Sequence, residues 1–357
     1  MNPHRFLPLT FLALTGLAAP LAAAPLKIAV VAPQSGNFVT LGDEVRRGAK
    51  ISADRLGIEL ALIDESCEAG SGPQVAARIR EVGATAAIGF LCSESLDGAL
   101  APLKEAAIPA ITLSVRWKGV MEDAIKNGWP LFRLAPTAED EARKLTEIIL
   151  RDWTSDAIAL IEDGTIHGRE LADAIRSSLE THGLKPVFTD TFRPGQEQQI
   201  ALVRRLRKAG VTKVFVGGDR SDISIIARDA AVEKIELGFL GGEALNAADQ
   251  PVPLAEGVRA VLLPYVVGGP QPKDGNTGEP PREGYVQPAE AAVSILADAA
   301  ALSGAMGSTL ADTLVDTAFD TPIGPITFST GHELADNPYR LMEWRKGGFI
   351  EPPPSTQ

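Results

Sequence analysis

The chain has 357 residues, 45% of them hydrophobic, with 46 acidic against 34 basic side chains and a formal net charge of −12. That is enough chain for two ordinary lobes and enough apolar material for packed cores, which excludes a disordered polar chain. The acidic balance argues against nucleic acid or an anionic membrane surface as a partner.

Met1–Arg5 carries one basic residue, and Phe6–Ala24 is apolar, free of acids and ends in Leu21-Ala22-Ala23-Ala24. This predicts a secretory signal peptide over residues 1–24. Pro25 is awkward directly after a cleavage point, which allows the cut to follow Ala23 instead. The alternative, an uncleaved anchor, has an apolar stretch that is short for a span. A leader without cysteine excludes a lipid on a mature N-terminal Cys. No later run reads as long enough to cross a membrane, so the processed chain is expected to be soluble.

Strand and helix patterns then alternate. Lys27–Val31, Ile58–Ile63, Ala84–Ile88, Pro109–Leu113 and Leu131–Leu134 read as strands. Leu41–Leu56, Pro73–Val82 and Ser93–Ala106 read as the helices between them. The pattern restarts with helix Thr137–Arg151, strand Ala157–Ile161, helix Arg169–His182 and strand Val187–Thr191. Helix Glu197–Ala209, strand Lys213–Val216, helix Asp222–Val232 and strand Leu237–Leu240 follow. A βαβα order run twice predicts an α/β chain with two parallel sheets, each flanked by helices, and a cleft between two lobes. Val258–Tyr265 reads as a strand that carries the chain back to the first lobe, and Gly268–Gly284 as a Gly- and Pro-rich loop. Tyr285–Ser303 reads as a helix too apolar to be mostly exposed, and Leu310–Ala318 as a further helix. Ile326–Phe328 and Tyr339–Trp344 read as strands with a polar turn between them.

Cys67 and Cys92 are the only cysteines, and each follows a strand pattern. Behind a secretory leader they predict one disulfide tying two neighbouring strand ends together.

Several pieces in register resemble the leucine/isoleucine/valine-binding family of periplasmic solute receptors. They are Ser35-Gly36 through Gly42-Asp43, the segments Asp64–Cys67 and Ile88–Ser93, and Val216-Gly217-Gly218. Phe239–Glu243, Tyr285-Val286 opening the late helix, and Ile323-Gly324-Pro325-Ile326 complete the set. The resemblance implies a type I periplasmic binding fold with three crossover strands. These would lie near Ala135–Thr137, Tyr265 and Asp336–Tyr339. It implies an N-terminal lobe of residues 25–135 plus 265–337, a C-terminal lobe of 136–264 plus 338–351, and a tail over 352–357. It also implies the Cys67–Cys92 pairing.

For the site, the resemblance places a ligand carboxylate at Ser93, on a helix start whose free N–H groups suit an anion. Read from the residues alone, Ser93 is equally a plain N-cap. Glu243 would take a ligand ammonium, or else be a solvated loop acid. Ser114 and Val115 would offer backbone groups. Arg116 stands where the family has a small hydroxyl residue. It could hold an anionic ligand group, pair with Glu243 or Asp219 across the closed cleft, or lie solvated. Asp219 and His167 stand where the family places aromatic residues, and Leu41 replaces a third. Phe38, Trp117, Tyr265 and Tyr285 are candidates to compensate, or are core and rim packing.

No nucleophile-elbow, phosphate-loop or dinucleotide fingerprint falls at a strand-to-helix junction. His167, His182 and His332 have no ligand spacing, so neither a metal site nor a cofactor is expected. The expectation is a periplasmic solute-binding protein that passes a small amino acid or related carboxylate-bearing metabolite to an ABC permease in the inner membrane. It would act as a monomer, without enzymatic activity. A ligand sensor of the same fold and an exported α/β enzyme are the competing readings.

Overall fold

The computed structural model describes residues 26–247, 251–264 and 284–353. The leader, Tyr265, most of Gly268–Gly284 and the last four residues of the tail lie outside them.

The first unit runs β1 (Lys27–Ala32), α1 (Val39–Leu56), β2 (Glu59–Asp64), α2 (Gly72–Glu81), β3 (Ala86–Gly89), α3 (Ser93–Glu105), β4 (Ala110–Thr112), α4 (Lys118–Asn127) and β5 (Leu131–Arg133). Its five strands pair all-parallel in the order β2-β1-β3-β4-β5. β1 and β3 are buried almost along their whole length because helices cover both faces. α2, α3 and α4 pack one face through Val75, Ile79, Leu96, Leu100 and Met121.

The second unit runs α5 (Asp140–Asp152), β6 (Ile158–Glu162), α6 (Ile166–Thr181), β7 (Phe188–Thr191), α7 (Ile200–Lys208), β8 (Lys213–Gly217), α8 (Arg220–Val232), β9 (Gly238–Gly241) and β10 (Arg259–Leu262). The chain then returns to the first unit with α9 (Val286–Met306), α10 (Leu310–Leu314), β11 (Ala318–Thr321) and β12 (Gly324–Thr327). It ends on β13 (Arg340–Arg345) and β14 (Gly348–Ile350), back in the second sheet. That sheet has the order β14-β13-β10-β9-β8-β6-β7.

α9 and α1 together cover the other face of the first sheet, with Val45, Ala49, Ala292 and Ile295 in one core. A Cβ on Gly48 would sit 2.0 Å from the Val286 carbonyl oxygen, so only glycine lets the two helices approach this closely. Cys67 and Cys92 are bonded, with Cα atoms 5.3 Å apart, tying the end of β2 to the start of α3.

The sheets, the disulfide and most elements match the sequence expectation, with five corrections. The second sheet is mixed, because β13 runs antiparallel to β10 and to β14. β10 does not carry the chain back; it is an inner strand of the second sheet, and the return follows it. β12 and β13 are not partners: β12 pairs with β11, while β13 joins the other sheet. The helix expected over Leu310–Ala318 stops at Leu314, since Val315 turns extended and Asp316 takes a φ of 53°, and Ala318 opens a strand. Among the described residues α9 is long and apolar enough to cross a membrane, contrary to expectation. Its face carrying Ala292, Ile295 and Leu296 is buried in the core shared with α1 and the sheet. α4 and β14 were not foreseen at all.

Candidate functional site

The carboxyl-terminal ends of the two sheets face each other, and the residues that link them come from loops just beyond β4 and β9. Ser114–Trp117 joins β4 to α4, and Gly242-Glu243 ends β9 in a short turn. Arg116 from the first unit meets Glu243 from the second in a two-pronged pair. Its Nη1 donates to Oε2 at 2.8 Å and its Nη2 to Oε1 at 3.1 Å. The Tyr339 hydroxyl, just ahead of β13, donates to Glu243 Oε2 at 2.5 Å and accepts from Arg116 Nη1 at 3.2 Å. Tyr339 is fully buried.

Glu141, in the first turn of α5, closes the constellation from behind. Its Oε1 accepts the backbone N–H of Glu243 at 2.5 Å, and its Oε2 lies 3.7 Å from His167 Nε2. Gly242 makes this possible, because a Cβ there would sit 2.1 Å from Glu141 Oε1. Burial pushes the Glu141 carboxyl up, and the charge of Glu243 adds to the rise. Burial would also raise Glu243, but the hydrogen bonds and charge of Arg116, with help from Tyr339, hold it below the usual carboxylate range. Burial and the neighbouring Glu243 charge push the Tyr339 phenol up, so its proton stays in place as a donor.

The remaining expected site residues are placed as follows. Ser93 is not the N-cap of α3; Cys92 is, and Ser93 opens the helix with its hydroxyl on Glu94 Oε2 at 3.2 Å. The same helix start is held from inside by buried Glu65, which accepts Leu91 N–H at 2.9 Å, Cys92 N–H at 3.1 Å and the Ser95 hydroxyl. Burial pushes the Glu65 carboxyl up. The Ser114 hydroxyl accepts from Tyr285 at 3.0 Å, and the buried Val115 donates its N–H to Thr112 Oγ1. Asp219 caps α8 by accepting Asp222 N–H at 3.0 Å. Of the two acids weighed as partners of Arg116, the chain brings Glu243 to it.

His167 and Asp219 share a cavity of about 80 Å³ with Glu141, Asp163 and Thr165, directly under the Gly242 turn. Wider open grooves of about 730 and 740 Å³ lie mainly at the opposite, amino-terminal ends of β8–β10. Phe38 and Trp117 are half and nearly two-thirds exposed, so neither is core packing. Among the described residues no group of three His, Cys, Asp or Glu side chains is gathered to hold a metal ion.

Glu141 and Tyr339 were missed by the sequence reading. Glu141 sits four residues after the start of the helix predicted from Thr137, in an acidic opening stretch where an acid is usual and uninformative. Tyr339 read as an ordinary strand residue. The signal available for both was their place beside the expected crossovers, where side chains from either unit can meet.

A family model described as a periplasmic binding protein matches residues 25–261. The chain is 23% identical over 349 residues to a Leu/Ile/Val-binding protein homolog of Brucella melitensis, covering 90% of this chain and 92% of that one. Among solved structures it resembles an ABC transporter substrate-binding protein from Desulfitobacterium hafniense in complex with Leu. The TM-score is 0.63 and the identity 20%, over 92% of this chain and 99% of that one. It also resembles a solute-binding protein of an ABC transporter from Rhodopseudomonas palustris HaA2 in complex with p-hydroxybenzoic acid. That TM-score is 0.63 and the identity 13%, over 92% of this chain and 95% of that one.

Proposed function

Since the chain belongs to the periplasmic binding protein family, we propose that it captures a small amino acid or related carboxylate-bearing metabolite between two lobes. It then presents that ligand to an ABC permease. One observation carries the reading: Arg116, Glu243 and Tyr339 join charged and polar groups from the facing ends of both sheets in one contact set. Residues 25–135 plus 265–337 form the first lobe and 136–264 plus 338–351 the second. They hinge near Ala135–Thr137 and Asp336–Tyr339; the third expected crossing, at Tyr265, lies outside the described residues. Ser93, Ser114, Val115 and Arg116 face the ligand from the first lobe, and His167, Asp219 and Glu243 from the second. A ligand shifts the open–closed balance only by its preference for the closed form. The chain works in the periplasm after loss of its leader, as a monomer, and turns nothing over.

The test is a thermal-shift screen of the leaderless protein against amino acids, aliphatic and aromatic monocarboxylates, dicarboxylates and amides. A ligand at 100 times its Kd stabilises by about 2.7 kcal/mol, a rise of a few degrees. A shift with one of the acids supports the reading. A panel in which no carboxylate shifts the transition rejects it.

A further inference from the structure

We infer that Arg116 is a specificity-determining residue that selects a carboxylate ligand lacking an α-ammonium group. The inference rests on the proposed reading of this cleft as the binding site. Both oxygens of Glu243 are engaged from within the chain: Oε1 by Arg116 Nη2, and Oε2 by Arg116 Nη1 and the Tyr339 hydroxyl. The backbone N–H of the same residue is held by Glu141. The acid that meets the first unit across the facing sheet ends is therefore already neutralised by a guanidinium in the geometry carboxylates favour most.

The neighbouring acids are each at least partly engaged within their own unit. The Glu141 side chain is 5% exposed and turned to Glu243 N–H and His167. Asp219 is exposed but commits its Oδ1 to the α8 amino terminus. Asp163 accepts from the backbone and hydroxyl of Thr165. An incoming ammonium would have to displace a bidentate guanidinium or lie beside it as a second cation on one carboxylate. An incoming carboxylate without an ammonium needs no acid of the site: it meets the exposed part of the Arg116 guanidinium, which it would share with Glu243. Arg116 is 40% exposed, so it is reachable from solvent as well as tied to Glu243.

The experiment uses matched ligand pairs that differ only at the α-carbon: leucine with 4-methylpentanoate, phenylalanine with 3-phenylpropanoate, and glutamate with glutarate. Affinities are measured by calorimetry on the leaderless protein and on Arg116→Ala and Arg116→Gln. The expected result is at least a tenfold preference of the unaltered protein for the ammonium-free member of the pair it binds. Both variants are expected to lose or invert that preference, since Glu243 is then open to an ammonium. Two variants, both at a partly exposed side chain, guard against a folding failure, and circular dichroism checks each. Equal affinity, or tighter binding of the amino acid by the unaltered protein, overturns the inference while leaving the carboxylate-receptor reading intact. Failure of all six ligands with the protein and both variants overturns the reading and the inference together.

Discussion

Replacing Tyr339 by Phe and Glu243 by Gln, singly and together, measures whether the interlobe constellation is one energetic unit. Phe keeps the buried ring and removes the hydroxyl that donates to Glu243 Oε2 at 2.5 Å. A hydrogen bond to a charged group contributes about 1.5–3 kcal/mol net. Glu243 is 28% exposed and Arg116 40%, so water replaces part of what is lost, and the lower end, about 1.5 kcal/mol, is the expected cost. Gln at 243 keeps the shape but loses the charge that both Arg116 and Tyr339 address. A partly exposed pair of this kind contributes about 1 kcal/mol, with a further part from the weakened Tyr339 bond. If the hydroxyl and the carboxylate act on each other, the double variant costs less than the sum of the singles by about 1 kcal/mol. The assay is urea unfolding at pH 7 for all four proteins, followed by ligand-free small-angle scattering to check the lobe arrangement. Additivity to within about 0.3 kcal/mol would refute the argument that Tyr339 and Glu243 stabilise one another.

Two further outcomes follow from the fold. Replacing Cys67 and Cys92 by Ser together opens a loop of 25 residues and should cost about 3.5 kcal/mol on the loop-entropy estimate, read as a fall in the urea midpoint. An unchanged midpoint would show that the bridge does not constrain the unfolded chain. Asp152 joins the end of α5 to β10 through Arg151 and Arg259, and Arg151 first, then Arg259, holds its carboxyl down at about 2 from 3.8. A depressed carboxyl stabilises the fold above its unfolded value of 3.8 and loses that contribution as pH falls toward about 2. Asp152→Asn should therefore cost about 1–2 kcal/mol at pH 7, and the gap should close between pH 4 and 2. A gap that stays constant over that range would assign the cost to packing instead.

The sequence carries the fold well where one local pattern decides. β1 and β3 are continuous apolar runs between turn residues, and α1 ends at a glycine with a left-handed φ of 69°. It carries the fold poorly where long-range pairing decides. Nothing local distinguishes β12 as a partner of β11 from a partner of β13, because register across a crossover is set by which sheet offers an open edge. α4 was hidden because Gly119 weakens a helix whose apolar face is only Val120, Met121 and Ala124. At the site, Arg116 and Glu243 were legible as departures and matches at strand ends, and their pairing was one of the alternatives. Glu141 was not legible, because its role depends on a backbone N–H more than a hundred residues away.

The absence of a side chain at Gly242 divides the cleft into parts that can and cannot be altered. Any larger residue there would collide with Glu141 and push the Glu243 turn away from Arg116. With the cleft as the ligand site proposed above, the route to a receptor of new selectivity, whether taken by natural divergence or by a designer of optical sensors, would run through positions 116 and 219. Position 242 is part of the frame on which any such variant would have to be built.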